Sequence, residues 1–281
     1  MVSLEQLAAL DLTLWLTATK RAAELEGTNQ TTILRRAEVA QACFGVSIER
    51  QPTGWSVAGD GLPLLELERR IHQRARLVSR RPLRLHAPYW TLRAHHGLQP
   101  QGWCSNPASA TSVCENPLAL LRARVIDAAL LTSSQLQGDG QDLACTVLYT
   151  RPLELTFLGA PAQANPDVAV GRRLEWRDLP LRQPAFIPRS CRLRCQEWNA
   201  ELRGLEPADA TRPARNLRPS QPGAVAFLTP EMRLAQALPY RVDHTVATQL
   251  YEERLVMLAD LALEPPLMAL REHLERLFKL H

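Results

Sequence analysis

Between Arg21 and Arg36 the chain sets small or apolar positions against polar ones at helical spacing. Ala22 and Ala23 are small enough to let two helices cross closely, and Gly27 follows them where a tight turn needs no side chain. Thr28 or Asn29 can cap the next helix by accepting a bond from its unpaired N–H groups. Ile33, Ala37 and Ala40 then face inward, while Gln30, Thr31, Thr32, Arg35 and Arg36 share an outer face. This spacing predicts a helix-turn-helix. It also reads as an ordinary amphipathic helix pair with a polar face.

Downstream, Phe44–Arg50 and Trp55–Ala58 form two short apolar runs around Gln51-Pro52-Thr53-Gly54, a hairpin signal. A hairpin placed directly after such a helix is a wing that meets the phosphate backbone. Leu62–Arg81 follows as one helix with Leu64, Leu67, Ile71 and Leu77 at helical spacing among many charges. The pattern then alternates. It predicts strands at 82–88 and near 101–106, a helix at 116–124, and strands at 125–132, 143–149 and 152–158. Beyond a Pro-rich loop at 159–171 it predicts a strand at 184–188 and a helix at 190–203. A loop rich in Pro and Arg at 206–222, a strand at 223–228, a helix at 230–237, late strands and a helix at 264–279 complete it. Such alternation implies an α/β sheet covered by helices on both faces. Crossing segments near 159 and 223–245 would split it into two lobes around a cleft.

Gln, Thr and Arg on one helical face suit base edges and phosphates: Gln pairs with adenine, Arg with guanine or phosphate, and Thr with a thymine methyl or phosphate oxygen. The candidate DNA-binding residues are therefore Arg21, Asn29, Gln30, Thr31, Thr32, Arg35, Arg36, Arg50 and Thr53. Net charge adds little to this picture. The whole chain carries +4, and residues 1–80 hold 10 Lys/Arg against 9 Asp/Glu, so affinity must come from local placement and from several heads per oligomer.

Here the order of motifs resembles the LysR-type transcriptional regulators of bacteria. Leu4-Glu5-Gln6-Leu7 with Leu10–Thr17 is similar to that family's first helix, and Arg21–Arg36 to its helix-turn-helix. Arg81–Pro88 resembles the first strand of its effector domain. Pro117–Leu131, Val147–Ala160 and Ala224–Leu234 resemble later strands and turns of that domain. The resemblance implies a winged helix-turn-helix at 1–61, a dimerising linker helix at 62–81, and at 82–281 a two-lobed effector domain like the periplasmic binding proteins. It implies double-stranded promoter DNA as partner, a homodimer or homotetramer, and a small-molecule effector. The chain departs from the family pattern at Leu34, Ala37, Ala40 and Gln41, and Tyr89–Trp103 is short, so its helix is truncated. These departures support an alternative: an adaptor that keeps the regulator fold and binds proteins instead.

Ligands of open α/β sheets lie beyond the carboxyl ends of the strands. That places Tyr89, Trp90, Thr91, Ser105, Thr132, Ser133 and Ser134 in one lobe, and Pro188, Arg189 and Ser190 at a helix N-terminus in the other. Packing in the core is an equal reading for Tyr89 and Trp90.

The six cysteines do not form a secreted disulfide framework. Cys191 and Cys195 lie one helical turn apart beside Arg189, Arg192 and Arg194, which would suit a redox pair, but inert thiols are the simpler expectation. His95-His96 has no metal-ligand spacing, and no nucleotide-loop, nucleophile-elbow or zinc-helix motif occurs. No metal, cofactor or enzymatic activity is expected. With no window of about 20 apolar residues, a cytoplasmic protein is expected.

Overall fold

The computed structural model describes residues 2–51, 54–79, 81–95, 97–107, 116–132, 136, 140–152, 154–157, 225–228 and 250–279. Three helices open the chain: α1 (Leu4–Leu16), α2 (Thr19–Leu25) and α3 (Gln30–Phe44). Helix α1 starts at a reciprocal cap. The Ser3 hydroxyl accepts from the Gln6 N–H at 3.2 Å, and the Gln6 side chain accepts from the Ser3 N–H at 2.8 Å. Nearly every side of α1 is buried, from Leu7 and Leu10 to Trp15 and Leu16, because α2 and α3 cover one side and the rest of the molecule covers the other.

Strands β1 (Ser47–Gln51) and β2 (Gly54–Ala58) pair antiparallel, with Gln51 opposite Gly54. This is the expected hairpin. Its exit is fixed by two glycines. A Cβ on Gly61 would sit 1.5 Å from the Phe44 carbonyl oxygen, and one on Gly59 2.4 Å from that of Gly45. Only glycine lets the chain turn this close to the end of α3.

Helix α4 (Leu62–Val78) begins with Pro63 in its first turn and runs from the hairpin to a five-stranded sheet. That sheet has the order β4-β3-β5-β9-β6, built from β3 (Leu83–His86), β4 (Trp103–Ser105), β5 (Ala128–Thr132), β6 (Leu143–Pro152) and β9 (Leu250–Leu258). Strand β3 is parallel to β4 and β5, whereas β9 lies antiparallel between β5 and β6. The sheet is thus mixed, because a late strand returns to complete it. All of β5 is buried, as a strand covered on both faces should be. Helix α7 (Pro265–Lys279) packs on β6, burying Leu267, Leu270, Leu274 and Phe278.

Short helices α5 (Tyr89–Ala94) and α6 (Pro117–Arg122) link the early strands, and α5 has the brevity expected of a truncated segment. Strands β7 (Glu154–Phe157) and β8 (Val225–Leu228) pair antiparallel as a separate two-stranded sheet. The expected strand at 184–188, the helices at 190–203 and 230–237 and the two long loops lie outside the described residues. No helix among the described residues is long and apolar enough to cross a membrane.

The linker helix departs from expectation in one respect. Leu64, Leu67 and Ile71 are exposed, but Leu77 is buried and Val78 continues the outer stripe instead. Seven residues separate Ile71 from Val78, two full turns, whereas Leu77 falls on the inner side.

Candidate nucleic-acid interface and effector region

Helix α3 begins at Asn29, whose side-chain oxygen accepts from the Thr32 N–H at 2.8 Å. Before it, Gly27 holds φ +59°, and the Thr28 N–H donates to the Ala23 carbonyl at 2.9 Å, closing the turn after α2. Ile33, Ala37 and Ala40 are buried against α1 and α2, so the rotation of α3 is set by packing. Asn29, Gln30, Thr31 and Arg35 are consequently exposed, with Thr32 and Arg36 half-buried beside them. Neither Arg35 nor Arg36 has an ion pair among the described residues.

Arg21 differs. Its guanidinium lies 2.9 Å from the Glu24 carboxylate, an exposed pair one turn apart. Such pairs are worth about 0–1 kcal/mol, so Glu24 does not prevent Arg21 from moving to a phosphate. The backbone of Arg50 pairs with Trp55 in the hairpin, while the Arg50 side chain and Thr53 lie outside the described residues.

Gln41, one of the departures from the family pattern, has a structural task. It donates to the Ala37 carbonyl at 3.3 Å and accepts from the Ile48 N–H at 3.0 Å, tying the end of α3 to the hairpin. Leu34 and Val39 leave apolar surface exposed on α3, as does Trp55 on β2.

The effector candidates scatter more. Thr91 is fully buried, and its hydroxyl donates to the Glu253 carboxylate at 2.8 and 3.0 Å. Tyr149 and Tyr251 donate to the same carboxylate at 2.8 and 2.9 Å. Thr132 is buried opposite Glu253 in the β5–β9 register. Thr91 and Thr132 are therefore gathered around one internal carboxylate.

Ser105 is buried across the sheet on β4, donating to the Asn106 carbonyl at 3.1 Å and bonded to Gln99. The neighbouring Asn106 side chain brackets Ala87, accepting from its N–H and donating to its carbonyl at 2.8 Å each. The side chains of Tyr89 and Trp90, and all of Ser133, Ser134, Pro188, Arg189 and Ser190, lie outside the described residues.

Sequence reasoning overlooked Glu253 because Thr91 and its carboxylate stand 162 positions apart. It also overlooked the inner face of α4. Arg69 donates to Asp11 on α1 at 2.8 Å, whereas Arg76 and Gln73 donate to Asp127 beside β5 at 2.8 and 3.1 Å. Burial pushes Arg76 down, but the charge and hydrogen bonds of Asp127 outweigh that and hold its pKa above the usual value. The indole N–H of Trp15 meets the His86 ring at 3.3 Å, joining α1 to β3. Burial lowers the His86 pKa to about 4, so this ring is neutral.

Of the described cysteines, Cys43 and Cys145 are exposed and Cys104 is half-buried. Burial raises the Cys104 pKa to about 11, which leaves an unreactive thiol. Cys191 and Cys195 lie outside the described residues.

No protein-family model matches the chain, and no curated protein matches its sequence. Solved structures do resemble it. ArgP from Mycobacterium tuberculosis superposes with a TM-score of 0.50 at 13% identity, over 97% of this chain and 96% of that one. A full-length OxyR variant from Pseudomonas aeruginosa gives 0.49 at 16% identity, over 100% and 98%. CbnR, a LysR family transcriptional regulator, gives 0.43 at 16% identity, over 97% and 99%. Identities this low speak to fold and to nothing finer. The helix-turn-helix, hairpin, linker helix and mixed α/β domain, taken with the full-length likeness to ArgP, give the chain the overall fold of that protein.

Proposed function

We propose that the chain is a DNA-binding transcriptional regulator that reads promoter duplex through α3. Residues 1–61 form the head, 62–81 the pairing helix, and 82–281 a two-lobed domain that takes a small-molecule effector. The observation that carries this reading is the outer face of α3. Asn29, Gln30, Thr31 and Arg35 stand exposed beside Thr32 and Arg36, on a helix whose rotation is set by Ile33, Ala37 and Ala40. Donors and acceptors at the first turns of a helix suit base edges in a major groove, and guanidinium groups suit guanine or phosphate. Arg50 and Thr53 on the hairpin would meet the backbone.

Pairing is supported by the outer stripe of α4. Leu64, Leu67, Ile71 and Val78 are 60%, 56%, 63% and 85% exposed, an apolar row that a second copy would cover. Two heads per dimer would then compensate for the weak positive charge of each. An effector binding between the lobes would shift the spacing of the heads.

A second reading rests on Leu34, Val39 and Trp55, whose exposed apolar surface beside the polar face also suits a protein partner. Fluorescence anisotropy on the duplex upstream of the protein's own gene, beside a scrambled duplex of equal length, separates the two. A regulator binds the first at least about 10³-fold more tightly. Absent binding to both favours the adaptor, and equal binding to both contradicts a sequence-specific reader.

A further inference from the structure

A cavity of about 230 Å³ lies where the head meets the α/β domain, away from the strand ends considered above. Asp11 comes from α1, His72 and Arg76 from α4, Arg81 from the segment after α4, Arg84 from β3 and Cys104 from β4. Its walls and the layer behind them are unusually charged for a buried place. Arg69, Arg76, Arg84, Asp11 and Asp127 are all at least nine-tenths buried.

The charges there do not balance among the described residues. Asp127 is saturated: it accepts from Arg76, Gln73 and the backbone N–H of Arg84. Asp11 is held by Arg69, whose Nε and Nη2 both lie 2.8 Å from one of its oxygens. Arg84 comes third. Its guanidinium donates to the Val125 carbonyl at 2.8 Å and stands 3.6 Å from the other Asp11 oxygen, beyond hydrogen-bond distance. Three guanidinium groups thus share two buried carboxylates.

The other cavity groups offer limited compensation. Cys104 keeps its proton, and burial lowers the His72 pKa, so that ring is neutral near pH 7. Glu68 beside His72 and Glu26 on the wall are both partly solvated. Arg81 at the rim is paired with Glu5. A buried guanidinium stays charged, and without an anion it is costly to keep.

We infer that this cavity binds a small oxyanion, a carboxylate, phosphate or sulfate group, held by Arg84 with Arg81 at the entrance. The volume is of the order of eight waters at roughly 30 Å³ each, enough for a small organic acid or a single phosphate. Because α1, α4, β3 and β4 all contribute, a bound anion ties the head to the α/β domain. The site lies away from the strand ends considered above and does not depend on the protein binding DNA.

The test is thermal unfolding of the full chain in inorganic phosphate, sulfate or acetate, each against chloride at equal ionic strength. At about tenfold excess over Kd, the wild type gains about 3–6 °C in Tm, and above Kd the gain rises with the logarithm of anion concentration. The preferred anion among the three identifies the headgroup. Arg84→Gln, which removes the guanidinium standing farthest from a carboxylate, loses the gain. Arg81→Ala, a rim change that leaves the buried layer intact, weakens binding about 3–10-fold in Kd and keeps the inference testable if Arg84→Gln does not fold. Arg35→Ala/Arg36→Ala keeps the full gain. Three results overturn the inference: no gain over chloride with any anion, a gain unchanged in Arg81→Ala and Arg84→Gln, or a gain lost in Arg35→Ala/Arg36→Ala, which would place the ions on α3.

Discussion

Helices α3 and α4 differ in length by two residues and hide opposite kinds of surface. Helix α3 buries Ile33, Ala37, Ala40 and Phe44 and presents amides, hydroxyls and guanidiniums to solvent. Helix α4 buries Arg69, His72, Gln73 and Arg76 and presents Leu64, Leu67, Ile71 and Val78. The first arrangement is self-sufficient, since the buried side is apolar and the outside is free to read a polar partner. The second is tolerable only because Asp11 and Asp127 meet its inward charges, and its outer row asks for an apolar cover. Amphipathicity therefore marks two faces of a helix without saying which one is inside.

The contrast can be broken in several places. The largest effect is expected on assembly. Leu67→Glu with Ile71→Glu should convert the proposed dimer wholly to monomer in sedimentation velocity, with far-UV circular dichroism unchanged. A dimer that survives would mean the stripe is not the pairing surface.

Next is the buried polar face. Asp127→Ala leaves Arg76 without its carboxylate and should cost about 3–5 kcal/mol in urea unfolding, as breaking a buried pair does. A loss under about 1 kcal/mol would show that Arg76 reaches water.

Acid should act on the same junction through His86. Its folded pKa, about 4, lies below the ordinary value of 6.5, so below pH 6.5 the unfolded chain binds the extra proton. The neutral ring's contribution is complete above pH 6.5 and is lost as pH falls towards 4, by about 3 kcal/mol for this group. His86→Gln should flatten that part of the stability–pH curve.

A further stability effect concerns the turns that aim the two helices. Gly61→Ala drives a methyl into the Phe44 carbonyl and should cost more than about 2 kcal/mol. Gly27→Ala has open space, and its left-handed φ should cost only about 1–2 kcal/mol. Equal losses would mean that the close approach at Gly61 relaxes freely.

The head was the legible part of the chain. The periodicity of Ile33, Ala37 and Ala40, the Asn29 cap, Gly27 and the Pro52 turn are local signals, each acting within a few residues. The early strands were legible for a related reason, as short apolar runs between turns. What escaped notice was long-range and polar. Arg69 lies 58 positions from Asp11, and Arg76 51 from Asp127, so nothing in the local pattern announces that these charges face inward. Leu77 shares the helical spacing of Leu64, Leu67 and Ile71, and spacing alone does not tell it from Val78. Thr91 was legible as a polar group after a strand, but its partner Glu253 arrives on β9, a strand whose antiparallel return no alternation of strands and helices foretells.

The central claim is that the outer face of α3 holds DNA. Anisotropy with the upstream duplex across a salt series, on the wild type and on Arg35→Ala/Arg36→Ala, tests it most directly. The wild type should bind with affinity that falls steeply with salt. The double variant should bind at least about 100-fold more weakly, with a log–log salt slope smaller by about 2 if both arginines meet phosphate. Its unfolding free energy should stay within about 0.5 kcal/mol per substitution, because neither residue is ion-paired among the described residues. A double variant that binds like the wild type, with the same salt slope, would contradict the account.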